Sequence, residues 1–307
     1  MRFAYLIIIH NNVEQVRTLL GLLDDKRNDI YIHIDKKSKI TPNELHGTVK
    51  YSKLFCYSKY RVAWGSISQV KCEIFLLQQA VSQKYDYYHL LSGADLPLHC
   101  QDYIHHFFQE NRKTGRKEYI HFESSGISEK ETNNYYYFFY ELISCLKDKG
   151  KAGKIKRILR NIERHVISVQ KALHIRRLKF YCGSNWFSIT DELACEVVKC
   201  RRAILRNVWF TISSDEIFLQ TFIVSKGYDN YCYDVNKDSD YKAIMRYIDW
   251  NRGEPYVWRE NDYEELVNSP FLFARKFDST IDSKIIQKIA DRVTAEKNYD
   301  ASLKKYI

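Results

Sequence analysis

The chain has 307 residues, 45% hydrophobic and 28% charged, a balance that excludes a largely disordered protein and leaves room for a sizeable core. With 11 Gly and 4 Pro, well below their usual joint share of about 12%, it has neither a collagen-like tract nor an evident linker, which favours one compact unit. The net charge of +10 is concentrated in one segment, and the longest aliphatic-rich run, Ala4 to Ile9, is far shorter than the roughly 20 residues that cross a bilayer.

Phe3 to His10 reads as a strand, Val13 to Leu23 as a helix, and Ile30 to Ile34 as a strand ending on Asp35, a β-α-β opening. A short strand near Lys53 to Cys56 precedes Trp64-Gly65-Ser66. Ile67 to Val81 then carries Val70, Ile74, Leu77 and Val81 on one helical face. Tyr85 to Leu91 is a strand that stops at Ser92-Gly93-Ala94-Asp95-Leu96-Pro97. Alternating strands and helices predict a mostly parallel sheet covered on both faces, whose ligands lie beyond the carboxyl ends of the strands. His10, Asp35 and Asp95 each fall at such an end.

The middle of the chain is insertion-like. It contains the aromatic run Tyr135 to Tyr140 and then Lys147 to Lys179, where 12 Lys/Arg face two acids, an excess equal to the net charge of the chain. Ile155, Ile158, Leu159, Ile162, Val166 and Val169 recur at three- and four-residue steps. The stripe reads as core-facing with the basic face in water; the alternative is a helix lying on anionic lipid. No nucleic-acid-binding motif accompanies the charge. Beyond it the pattern predicts a helix over Asp191 to Leu205, an apolar run over Ile217 to Val224, a strand containing Met245 to Trp250, and a last helix near Ser283 to Glu296.

Chemistry-bearing residues stand out singly rather than in strong motifs. Ser213-x-x-Glu216 before an apolar run has the form of a capping box, and the same carboxylate could accept a proton from an attacking hydroxyl. Arg275 and Lys276, between Phe273 and Phe277, suit a diphosphate, although an ordinary anchored surface pair has the same pattern. Asp238-Ser239-Asp240 is the one Asp-x-Asp, but its polar setting reads as a turn, so no metal is expected there. Trp64 and Trp186 sit in turn-rich sequence and could stack on sugar rings or be buried. Eight scattered cysteines without C-x-x-C argue against a zinc ribbon and for reduced thiols. Walker A, G-x-G-x-x-G, H-E-x-x-H and G-x-S-x-G are absent.

Taken in order, Tyr5 to His10, YIHIDKK (Tyr31 to Lys37), VAWGSIS (Val62 to Ser68), YYHLLSGADLPL (Tyr87 to Leu98), GSNWF (Gly183 to Phe187), SSDEIFLQT (Ser213 to Thr221), RYIDW (Arg246 to Trp250) and LFARKFD (Leu272 to Asp278) resemble the core-2/I-branching β-1,6-N-acetylglucosaminyltransferase and peptide O-xylosyltransferase family. The resemblance implies a GT-A-type, Rossmann-like α/β fold with a mixed, mostly parallel sheet, spanning residues 1–307 as one catalytic domain. The basic insertion would occupy about 141–180 and a C-terminal helix about 281–307.

The resemblance further implies an inverting transfer from a UDP-sugar, most simply UDP-GlcNAc, to a glycan hydroxyl, with no cofactor and no metal. Glu216 matches the general base and Lys276 the diphosphate-holding lysine. Arg246 matches a phosphate-contacting arginine, and Arg275 stands where xylosyltransferase-like members carry arginine. Ile8, Ile9, His10, Asp35, Lys36, Lys37 and Arg61 fall on donor-contacting positions; Trp64, Asp95, Trp186 and Asp215 would shape the sugar or acceptor pocket. The N-terminus enters the first strand directly, without a basic n-region or small-residue cleavage site, and the cysteines offer no disulfide framework. Both fit a cytoplasmic bacterial enzyme of surface-glycan synthesis that acts on a glycan or lipid-linked acceptor, with 147–179 able to hold it to the inner membrane face. A UDP-xylose or other UDP-hexose transferase of the same fold is an alternative, and a non-catalytic glycan- or membrane-binding module is one of another class.

Overall fold

The structure, a computed structural model, describes residues 1–123, 135–146, 149–175, 179–234 and 241–303. Strand β1 (Phe3–Ile9) is uncharged and almost wholly buried. Its odd-numbered side chains enter one core and Ala4 and Leu6 the other, as the two-residue period of a strand dictates. Helix α1 (Val13–Leu23) buries Val16, Leu19, Leu20 and Leu23 and returns the chain to β2 (Asn28–Ile34), parallel to β1. β3 (Lys53–Tyr57) adds in parallel outside β2. α2 (Ile67–Ala80) starts at Ser66, whose side chain accepts from the Ser68 amide. It leads to β4 (Tyr87–Ser92), parallel to β1 on its other side.

After β4 come β5 (Leu96–Pro97), α3 (Gln101–Arg112), β6 (Tyr119–Ile120), α4 (Tyr140–Cys145), α5 (Gly150–Ala172) and β7 (Phe187–Thr190). The chain continues through α6 (Asp191–Lys199), α7 (Arg201–Val208), α8 (Phe218–Ser225), β8 (Arg246–Ile248), α9 (Tyr263–Val267), β9 (Phe273–Arg275) and α10 (Ser283–Leu303). The main sheet has the order β3-β2-β1-β4-β7-β6. Its first four strands are parallel, while β7 runs antiparallel to both β4 and β6, so the expected mixed, mostly parallel α/β architecture is present. A second sheet, β5-β9-β8, lies against the face shared with α1, α3 and α10, its Leu96, Phe273 and Ala274 joining that core. Helices α2, α6, α7 and α8 cover the opposite face.

Three local features differ from the sequence reading. The helix expected over Asp191 to Leu205 is two helices, because Cys200 leaves helical geometry at φ −88°, ψ 5°. Helix α3, which no expectation covered, buries Gln101, Ile104, His105 and Phe108; its polar inward residues hid the period. The third is a correction and concerns α5, whose apolar stripe does not face the core. The helix buries Lys156, Glu163 and Gln170, seven residues apart, and leaves Ile155, Ile158, Ile162 and Val169 exposed. The reason is backbone satisfaction. Residues 135–139 lie outside both sheets, and buried amides and carbonyls need partners. Gln170 takes Tyr136 by both groups, Oε1 accepting from its amide and Nε2 donating to its carbonyl, each at 2.9 Å. The Glu163 carboxylate accepts from the Phe139 amide at 3.3 Å.

Candidate active site

The ends of β1, β2 and β4 are level, Ile9 pairing with Ile34 and Ile8 with Ser92, and the loops beyond them are laced together. The Asp35 amide donates to Ile9 O at 2.9 Å, and Gly93 N to Ile8 O at 3.2 Å. The buried Asp35 carboxylate accepts from the amides of Lys37 (2.8 Å) and Val62 (3.3 Å). Lys37 Nζ lies 3.5 Å from it and donates to Val62 O at 2.6 Å. His10 is held below the ordinary histidine range, first by partial burial of its ring and then by the charges of Lys276 and Lys37, against the opposing pull of Asp35. Six of the residues expected to touch the donor, Ile8, Ile9, His10, Asp35, Lys37 and Lys276, thus share one neighbourhood.

A second cluster joins three distant segments. Asp95, buried at the turn after β4, accepts from the Ser92 hydroxyl at 2.6 Å and from the Ser92 amide. Its other oxygen lies 3.7 Å from Arg275 Nε. The Arg275 guanidinium lies over the Trp186 ring at 4.1 Å from its centroid, a desolvated cation–π contact. Burial lowers the Arg275 pKa, and Asp95 opposes that shift. Gln15 on α1 braces the cluster from below, donating to Gly93 O (2.9 Å) and Phe277 O (3.0 Å) and accepting from Ser279 N (2.9 Å).

Glu216 stands on a 3-10 turn, Ser214–Glu216, and the capping box expected from its spacing does not form. Ser213 is left-handed at φ 46° and its side chain caps nothing. Tertiary bonds fix the turn instead. Ser214 N donates to Gly65 O at 3.0 Å, and Gly183 N to Glu216 O at 2.9 Å, so the loops carrying Trp64 and Trp186 clamp the turn from two sides. The neighbouring Asp215 is 3% exposed; burial, and after it the Glu216 charge, push its pKa up to about 7. Behind it Glu73 on α2 is fully buried, its pKa raised well above the usual value by burial and by Asp215; Gln69 Nε2 donates to it at 3.4 Å. Tyr241, stacked on His121 at 4.7 Å, is pushed up to about 12 by burial, with smaller contributions that include Glu216 raising it and Arg275 lowering it.

Arg246 departs from the expectation of a phosphate contact. It is 1% exposed, and its guanidinium donates to three carbonyls: Ile244 (2.6 Å), Phe187 (2.8 Å) and Leu90 (3.1 Å). It also approaches Ser188 Oγ at 3.4 Å. Burial lowers its pKa to about 10, which leaves it charged at neutral pH. It is a brace beneath the site, tying β8 to β4 and β7. Lys36, Arg61 and Trp64 are exposed, Trp64 at 75%, and Lys276 is half-buried.

Glu73, Gln15, Tyr140 and Tyr241 were missed. For Glu73 a signal existed, a lone acid between Val70, Ile74 and Leu77 on an apolar helix. For Tyr140 none did, although Asp215 and Glu216 add to the burial that raises its pKa. Among the described residues no three His, Cys, Asp or Glu side chains gather into a metal-holding group; Asp238 and Asp240 lie outside them. The arrangement supplies a carboxylate on a fixed turn, a lysine beside Asp35 at a strand end, and an arginine stacked on Trp186.

The sequence pattern of the Core-2/I-branching enzymes matches residues 3–134 and 127–268. Xylosyltransferase 2 of Rattus norvegicus is 21% identical over 307 residues, and that of Homo sapiens 21% over 310, each match covering 94% of this chain and 33% of the relative. A xylosyltransferase of Ciona intestinalis is 20% identical, with 94% and 34% covered. The chain thus spans about a third of the length of these curated relatives. A crystal structure of S. aureus TarS 1-349 in complex with UDP-GlcNAc aligns with a TM-score of 0.29 and 10% identity over 38% of this chain and 33% of that one, too distant to bear on the site.

Proposed function

We propose, on the premise that this chain belongs to the Core-2/I-branching enzyme family, that it is a glycosyltransferase moving a sugar from a UDP-sugar to a hydroxyl of a glycan acceptor with inversion at the anomeric carbon. The observation that carries this reading is that the loop whose Gly183 amide holds Glu216 O also carries Trp186, on which Arg275 stacks beside Asp95. One short loop thus connects the group assigned to acid–base work with a cation assigned to the leaving group.

In this reading Glu216 removes the proton of the acceptor hydroxyl as its oxygen attacks the anomeric carbon. The bond to the diphosphate breaks on the far face through an oxocarbenium-like state. Lys276, with Lys37 beside the same His10 ring, receives the negative charge that grows on the leaving UDP; fixed cations stabilise such charge because they need no reorganisation during the reaction. Arg275 contributes from behind, held by Asp95 and Trp186. Asp35, at the end of β2, faces the nucleoside end of the donor. No step calls for a metal ion.

The donor is UDP-GlcNAc in the first instance; UDP-xylose is the second reading, favoured by Arg275 and by the xylosyltransferases among the relatives. Calorimetry with UDP, UDP-GlcNAc, UDP-xylose, UDP-glucose and GDP in excess EDTA tests both. UDP-specific binding that survives EDTA supports the reading, and the tightest sugar names the donor. Absence of nucleotide binding with or without divalent metal overturns it in favour of a non-catalytic module. Glu216→Gln should abolish transfer while sparing UDP affinity.

A further inference from the structure

The apolar stripe of α5 is turned outward. Ile155, Ile158, Ile162, Val169 and Leu173 are 42–65% exposed, while the side turned to the protein is the polar line Lys156, Glu163 and Gln170. At about 100° per residue the exposed apolar side chains form one strip along more than four turns, and Lys154, Arg157 and Arg164, all exposed, occupy the adjoining face. Among the described residues nothing covers the strip. A helix that spends polar groups on its attachment and leaves its hydrophobic face in water has the pattern of an interfacial helix.

We propose that α5 docks this chain on an anionic lipid surface, the apolar strip entering the headgroup boundary and the basic face binding the lipid charge. Charge decides the occupant. A second copy of this chain would set one strongly cationic helix against another, since 147–179 holds 12 Lys/Arg and two acids. An anionic bilayer attracts the exposed cations among them and accepts the apolar strip as well. Among the described residues no helix is long and apolar enough to cross a membrane, and the association proposed is peripheral, through α5. It uses none of the residues placed in the transfer reaction and stands or falls independently of that reading.

The test is co-sedimentation of the full chain with vesicles of phosphatidylcholine alone and of phosphatidylcholine mixed with phosphatidylglycerol, at low and high salt. Binding to the anionic vesicles only, reversed by salt, is expected. Ile158→Asp with Ile162→Asp should weaken it by about tenfold or more, from the burial each isoleucine loses. Ile158→Trp with Ile162→Trp should strengthen it, and unchanged circular dichroism and melting temperature in both variants mark intact protein. Failure to bind anionic vesicles at low salt, equal binding by the aspartate variant, or a dimer in light scattering that the aspartate variant dissolves would each overturn the proposal.

Discussion

Replacing Arg246 separates a phosphate ligand from a structural brace. Its guanidinium makes three short bonds to the carbonyls of Ile244, Leu90 and Phe187, and hydrogen bonds to a charged group contribute about 1.5–3 kcal/mol each. The sum, roughly 5–9 kcal/mol, is an upper bound, because the carbonyls have second acceptor positions and the bonds share one donor group. A net loss of about 4 kcal/mol for Arg246→Met is the expectation, a large part of the ~5–15 kcal/mol that holds a typical fold together. With an unfolding entropy of ~2.1 cal/mol/K per residue, that corresponds to a drop in melting temperature of about 6 °C.

Arg246→Lys keeps the charge but cannot span three carbonyls with one ammonium, so it should lose about half as much. Thermal denaturation of wild type and both variants, with UDP titrated into each below its transition, is the assay. A brace predicts lowered melting temperatures and UDP affinity changed by no more than a few fold in the folded protein. Unaltered melting temperature with UDP affinity reduced tenfold or more in Arg246→Lys would refute the reasoning and return Arg246 to the donor.

Three further changes probe the site. Gly183→Ala would place its Cβ 1.8 Å from His121 O, and the Gly183 amide holds Glu216 O; turnover should fall by about a hundredfold, as for an ångström-scale misplacement, with UDP affinity retained, and steady-state kinetics beside calorimetry check the split. Asp215 has a folded pKa of about 7 against 3.8, so the stability its protonated form confers is present below pH ~3.8 and lost as pH rises to about 7. At ~1.36 kcal/mol per unit this amounts to about 4 kcal/mol. Asp215→Asn should therefore melt higher than wild type at pH 8 and not at pH 4; an equal difference at both would show that burial does not govern this carboxyl. Trp186→Leu removes the ring beneath Arg275, a contact worth up to ~2 kcal/mol when desolvated, and should weaken UDP binding by about tenfold; unchanged calorimetric affinity would remove Arg275 from the donor site.

What sequence alone determined was the strand and helix order of the parallel half and the positions of His10, Asp35 and Asp95 at strand ends, because alternation along β1 and three-to-four periodicity along α1 are local properties of the chain. The segments carrying Glu216, Arg275 and Trp186 were legible too, through their resemblance to a family rather than through any spacing. Tertiary structure decided the rest. Glu216 and Ser213 have capping-box spacing, yet the turn is held by Gly65 and Gly183, far away in sequence. Arg246 looks like any cationic ligand until three carbonyls from separate segments are seen around it. The isoleucines of α5 mark an apolar face without saying which way it points; bonds from Gln170 and Glu163 to a backbone that joins no strand turned it to solvent. Burial likewise sets the state of Asp215, since desolvation depends on what packs around a carboxyl and not on its neighbours along the chain.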